Sequence, residues 1–152
     1  MFYVVSLYSL DAKGDSPLSL AKRQARYEYT MKRTAEFLKA GNFAYSPITH
    51  CHEMAKRHEM PAEYQFWKAQ DRHMVELSEG LIVLDMKTAC GKDYKDSEGM
   101  SDEIEYAYSI GKPVIYIPCP DFFDPVAVVE DTSEIKISNI TTETLQREIR
   151  DF

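Results

Sequence analysis

Two acidic residues and a serine set the chemical question. Glu103 stands in "SEGMSDEIEYAYSIGKPV", residues 97–114, six positions after Ser97, and Asp71 stands in "FWKAQDRHM" among Phe66, Trp67, Met74 and Val75. The segment Asp102-Glu103-Ile104-Glu105 reads as a helix start, where free N–H groups and the macrodipole hold a carboxylate as an anion. Surface electrostatics alone accounts for such a position. So does a nucleophile that needs its charge inside a partly closed pocket. Ser97 and Gly99, just ahead of the helix, form either a plain capped turn or a cradle of hydroxyl and backbone N–H for a phosphate. Asp71 is either a solvated polar position or the acid of a pair. His50-Cys51-His52 has two imidazoles pointing the same way if the segment is extended. No third and fourth ligand stand at metal spacing, so His50 and His52 read as ligand contacts, with no metal and no cofactor expected.

Alternating strands and helices must position these groups. "FYVVSLYS" and "GLIVLD" are short apolar runs of buried-strand type, with "FAYSPI" and "PVIYIP" as further strands. Helical spacing runs over 17–40, stopped by Gly41-Asn42, then over 62–77 and 100–110, the last stopped by Gly-Lys-Pro. "THCHEMAKRHEMP" reads as a polar connection, "EIKIS" as a last strand and 142–150 as a last helix. This alternation predicts one α/β domain over 1–152, a parallel sheet of four or five strands with helices on both faces. Ligands bind outside the carboxyl ends of such strands. That rule selects Ser6, Tyr8 and Ser9 after the first strand, Ser46, His50 and His52 after the second, Asp85 after the third, and 97–103 beyond it.

Composition narrows the classes. The chain has 152 residues, 44% hydrophobic and 28% charged, enough for one domain with a real core. A net charge of −7 argues against a nucleic-acid polymer as partner, which needs a basic surface. No apolar run approaches the roughly 20 residues of a membrane span, and the N-terminus lacks the basic region of a secretory signal. The three scattered cysteines, Cys51, Cys90 and Cys119, read as free thiols of a reducing compartment, so a cytoplasmic location is expected.

From residue 3 to about 117 the chain resembles the nucleoside 2-deoxyribosyltransferase-like superfamily. The opening strand with "SLYS", the "AYSPITHCH" segment, "FWKAQDRHMVELSEGLIVLD" and above all "SEGMSDEIEYAYSIGKPV" carry the resemblance. The last is similar to the group's Gly-x-x-x-Glu…Ala-x-x-x-Gly-Lys-Pro signature. Leu7, Met100 and a longer loop over 86–96 depart from the usual pattern. The resemblance implies a Rossmann-like or flavodoxin-like domain, with the tail from 120 outside it. It implies Glu103 as nucleophile, Asp71 as the residue activating the base or the sugar, and Tyr3 as the group that positions Glu103. Ser97 falls where nucleoside transferases carry an Asp and monophosphate hydrolases carry a phosphate-binding Ser. The expected activity is therefore cleavage of the N-glycosidic bond of a (deoxy)nucleoside 5′-monophosphate through a glycosyl-glutamate intermediate. Base exchange by a deoxyribosyltransferase and non-catalytic nucleotide sensing are the alternatives. The resemblance also implies a homodimer or higher oligomer, for which Tyr27, Tyr64 and Tyr106 are candidate contact residues.

Overall fold

Phe2–Val5 (β1) and Gly80–Asp85 (β3) are apolar along almost their whole length because they lie at the centre of a sheet covered on both faces. The computed structural model describes residues 1–131 and 134–138. Its main sheet has four parallel strands in the order β2-β1-β3-β4, with β2 at Ala44–Tyr45 and β4 at Val114–Pro118. Register runs Tyr3 to Leu81 and Val5 to Val83, then Leu81 to Val114 and Val83 to Tyr116. The core gathers Tyr3, Val4, Val5, Leu81, Val83 and Leu84 with Val75, Met100, Ile104 and Ala107 from the helices. The fold is thus the expected Rossmann- or flavodoxin-like α/β domain. The strand order reverses direction at β1. Right-handed crossovers therefore put α1 (Pro17–Lys39) on one face, and α3 (Tyr64–Leu77) and α4 (Glu98–Ser109) on the other.

The segment 47–57 differs from its sequence reading. It is a helix, α2 (Pro47–Arg57), and not a polar connection. Ser46 is its N-cap, accepting from Thr49 N–H at 3.2 Å, and Pro47 occupies the first turn. Ser followed by Pro is a helix start because the missing N–H of Pro is one that the first turn leaves unpaired anyway. The same pair, Ser16-Pro17, opens α1. Consequently His50 and His52 do not share a direction: His50 is exposed and His52 is buried.

α4 opens two residues earlier than its pattern suggests, with Ser97 as N-cap at 3.4 Å from Met100 N. It closes at Gly111, whose φ of +75° suits glycine alone without strain, before Pro113. Beyond β4, β5 (Val126–Asp131) and β6 (Glu134–Ser138) pair antiparallel as a separate two-stranded sheet. The "EIKIS" strand is present and its partner β5 was not foreseen. The helix expected over 142–150 lies outside the described residues.

One buried cation fastens the loop between β1 and α1. Arg26, fully buried, donates to both Asp124 oxygens at 3.0 and 2.9 Å, and to the carbonyls of Tyr8 and Leu10 at 2.7 and 2.6 Å. Two bonds from the planar guanidinium hold that loop, and two more tie the guanidinium to Asp124.

Candidate functional site

A cleft of about 1160 Å³ opens at the carboxyl ends of β1 and β3, where strand order reverses. One wall comes from the β1–α1 loop, α1 and α2, the other from α3 and α4. At its floor stand Glu103 and Asp71, each 5% exposed. The Tyr3 hydroxyl, buried in β1, donates to Glu103 Oε1 at 2.8 Å. Burial raises the Glu103 pKa well above the carboxyl range, and the neighbouring Asp71 charge raises it further. Burial also raises Asp71, to about 6, while its bonds to Glu103 and Tyr3 pull the other way. Two carboxyls this close titrate as a unit and share one proton at neutral pH.

The origin of Glu103's charge therefore differs from the sequence reading. α4 begins at Glu98, so Glu103 sits in its second turn, beyond the reach of the helix-end charge. Desolvation dominates, and the shifts leave the pair's proton on Glu103 and its charge on Asp71. The residue before it does the opposite. Asp102 accepts Arg72 Nη2 at 2.6 Å and Nε at 3.0 Å, lies 3.4 Å from Lys68 Nζ, and accepts the Tyr64 hydroxyl at 2.7 Å. The Arg72 bonds hold its pKa at about 2. Successive helical residues diverge by about 100°, so Glu103 enters the cleft while Asp102 clamps α4 onto α3.

Residues 1–118 match the family described as a domain of unknown function, DUF1937. The chain belongs to that family. Comparison with curated proteins and with solved structures gave no match. The DUF1937 match ends on the last residue of β4 and so contains every element that lines the cleft.

Within this DUF1937 domain the sequence-selected residues separate into two groups. Ser6, Tyr8, Ser9, His52, Asp71, Ser97, Gly99 and Glu103 line one cleft. Among the described residues the Ser6 hydroxyl and Asp71 Oδ1 are buried there with no hydrogen-bond partner. Ser46 does not line it, being 1% exposed beneath α2 as that helix's cap. His50 packs its ring beside Tyr45, 5.6 Å between centroids, on the outer side. Asp85 is tied to Lys87 at 2.8 Å. Tyr64, Arg23 and Gln24 were missed. Tyr64 packs so closely over Gly99 that a Cβ there would lie 3.1 Å from the ring. A Ser97–Gly99 turn gives no sign of that neighbour in the sequence, because α3 supplies it. Among the described residues no three His, Cys, Asp or Glu side chains group as a metal site.

Proposed function

We propose that the protein hydrolyses the N-glycosidic bond of a nucleoside or deoxynucleoside 5′-monophosphate through an ester on Glu103. The observation that carries this reading is the buried Glu103–Asp71 pair with Tyr3 donating to Glu103, at the floor of a cleft that also holds the α4 N-terminus. Attack requires the charge on Glu103 and the proton on Asp71, the reverse of the resting arrangement; the Tyr3 hydroxyl stabilises the Glu103 carboxylate once the proton has passed to Asp71. A Glu103 oxygen bonds C1′ as the C1′–N electron pair leaves with the base, which takes the Asp71 proton. Water then bonds C1′, gives its proton to Asp71, and releases Glu103 as the carboxylate. The free N–H groups at the start of α4, with the Ser97 hydroxyl, suit the 5′-phosphate.

A second reading has its own observation. Asp96 and Glu98 flank Ser97 on the cleft wall, and carboxylates there oppose a phosphate dianion. A free nucleoside with a second base as acceptor fits that charge better, which makes the enzyme a deoxyribosyltransferase. One experiment separates the two. The protein is incubated with nucleosides and their 5′-monophosphates, with and without a foreign base, and products are resolved by chromatography. Free base from monophosphates alone supports hydrolysis, exchanged nucleoside supports transfer, and no product from any substrate overturns both.

A further inference from the structure

Four side chains in series run from α1 into the cleft. Gln24 Nε2 donates to Glu28 Oε1 at 3.0 Å, Gln24 Oε1 lies 2.9 Å from His52 Nε2, and His52 Nδ1 lies 2.7 Å from the Tyr8 hydroxyl. The first link fixes the direction of the rest. A carboxylate only accepts, so Gln24 turns its amide nitrogen to Glu28 and its oxygen to His52. That oxygen also only accepts, so His52 carries its hydrogen on Nε2. Glu53 Oε1, 4.0 Å from the same nitrogen, favours the same placement. Burial lowers the His52 pKa and keeps the ring neutral, and Tyr27 stacks on it at 4.1 Å. Nδ1 is therefore bare. Tyr8 must spend its only hydrogen on it, and the Tyr8 oxygen is left with lone pairs alone. Among the described residues that oxygen has no other hydrogen-bond partner.

An ordinary tyrosine hydroxyl accommodates donors and acceptors alike. This one cannot turn. We propose that Tyr8 Oη is a fixed acceptor that selects a ligand whose base presents an amino group, of the adenine or cytosine kind, over one presenting an oxo group. The proposal rests on the nucleotide reading above. With C1′ against Glu103 and the 5′ side at α4, the base is the part left to face the wall that carries Tyr8. An oxo group there would set lone pair against lone pair, leaving both unpaired away from water.

The test uses the Glu103→Gln protein, which should hold nucleotides uncleaved. Calorimetry compares adenosine with inosine 5′-monophosphate and cytidine with uridine 5′-monophosphate, as ribo and 2′-deoxy forms. The amino member of the pair that fits should bind at least about tenfold tighter. Adding Tyr8→Phe, which removes the hydroxyl and its hydrogen bond to His52 Nδ1, should erase the difference by weakening the amino member alone. Equal affinities, an oxo preference, a preference that survives Tyr8→Phe, or equal weakening of both members each overturn the proposal while leaving the nucleotide reading intact. Failure of every nucleotide to bind overturns that reading and the proposal with it. A ligand-free check stands apart: nitrogen NMR of the unmodified protein should find the His52 hydrogen on Nε2, and finding it on Nδ1 overturns the proposal whatever binds.

Discussion

The Glu103–Asp71 pair makes two behaviours of single residues measurable. Glu103→Gln keeps the shape and removes the proposed nucleophile. Base release should fall by about 10⁴-fold or more, as deletion of an essential catalytic group does, with nucleotide affinity nearly unchanged. Retention of activity within a few-fold would reduce Glu103 to a buried acid without a task. The second behaviour is titration. The pair works with one proton, so protonating its ionised member removes the nucleophile. The rate should fall tenfold per unit on the acid side of about 6, where Asp71 titrates. Stability follows the same groups in the opposite sense. Acids whose folded pKa is raised favour the fold at low pH, and that contribution is lost as pH climbs through the raised value. From about pH 4 to pH 7 the rise of Asp71 to about 6 alone makes the loss on the order of 2–3 kcal/mol, and Glu103 adds to it in the same direction. Urea titrations should find a flatter dependence in Glu103→Gln, whose amide can donate to Asp71. An identical slope in both proteins would mean that the pair does not titrate between those limits.

Elements carry the geometry, and their anchors can be cut one at a time. Asp124 and Arg26 are both fully buried, so Asp124→Ala strands a guanidinium and should cost about 3–5 kcal/mol in chemical denaturation. Unchanged stability would show the cation reaching water instead. At the other wall, Ser97→Ala should raise the Michaelis constant for monophosphates and leave that for nucleosides alone; equal effects on both would confine Ser97 to capping α4. Much of this framework was legible in the sequence. α1 lies within a residue of its reading because Ser16-Pro17 opens it and Gly41 closes it. α2 escaped because Ser46-Pro47 follows a two-residue strand, where the same proline also reads as a strand stop. Glu103, Asp71 and Ser97 stand out by residue type and position, Tyr3 only by the family resemblance, and the structure brings the Tyr3 hydroxyl onto Glu103. Pairs such as Arg26–Asp124, 98 residues apart, leave no periodic trace, and neither does the turn of Asp102 away from its neighbour.

For the molecule as a whole, the three tyrosines expected at a subunit contact, Tyr27, Tyr64 and Tyr106, are engaged within the chain. Tyr27 stacks on His52, Tyr64 binds Asp102, and Tyr106 lies beneath Arg72, 4.7 Å from ring centroid to guanidinium carbon. Among the exposed hydrophobic side chains, Ile115 and Tyr116 of the outer strand β4 are 47% and 40% exposed beside Tyr108 at 57%. A strand edge with no partner among the described residues is a template for a second copy. Light scattering should give twice 17.5 kDa, reduced to the monomer value by Ile115→Lys; a monomer at the outset removes the expectation. The Arg26 anchor has a further consequence, in the order of synthesis. Its partner lies six residues beyond the stretch shared with the family. As the chain leaves the ribosome at roughly 5–20 residues per second, strands and helices through β4 are complete while the guanidinium still lacks its counter-charge. Until Asp124 emerges, the guanidinium that holds the carbonyls of Tyr8 and Leu10 is itself not anchored on its far side. A nascent chain arrested before that point should be cut by protease within residues 8–15, and one arrested well after it should resist.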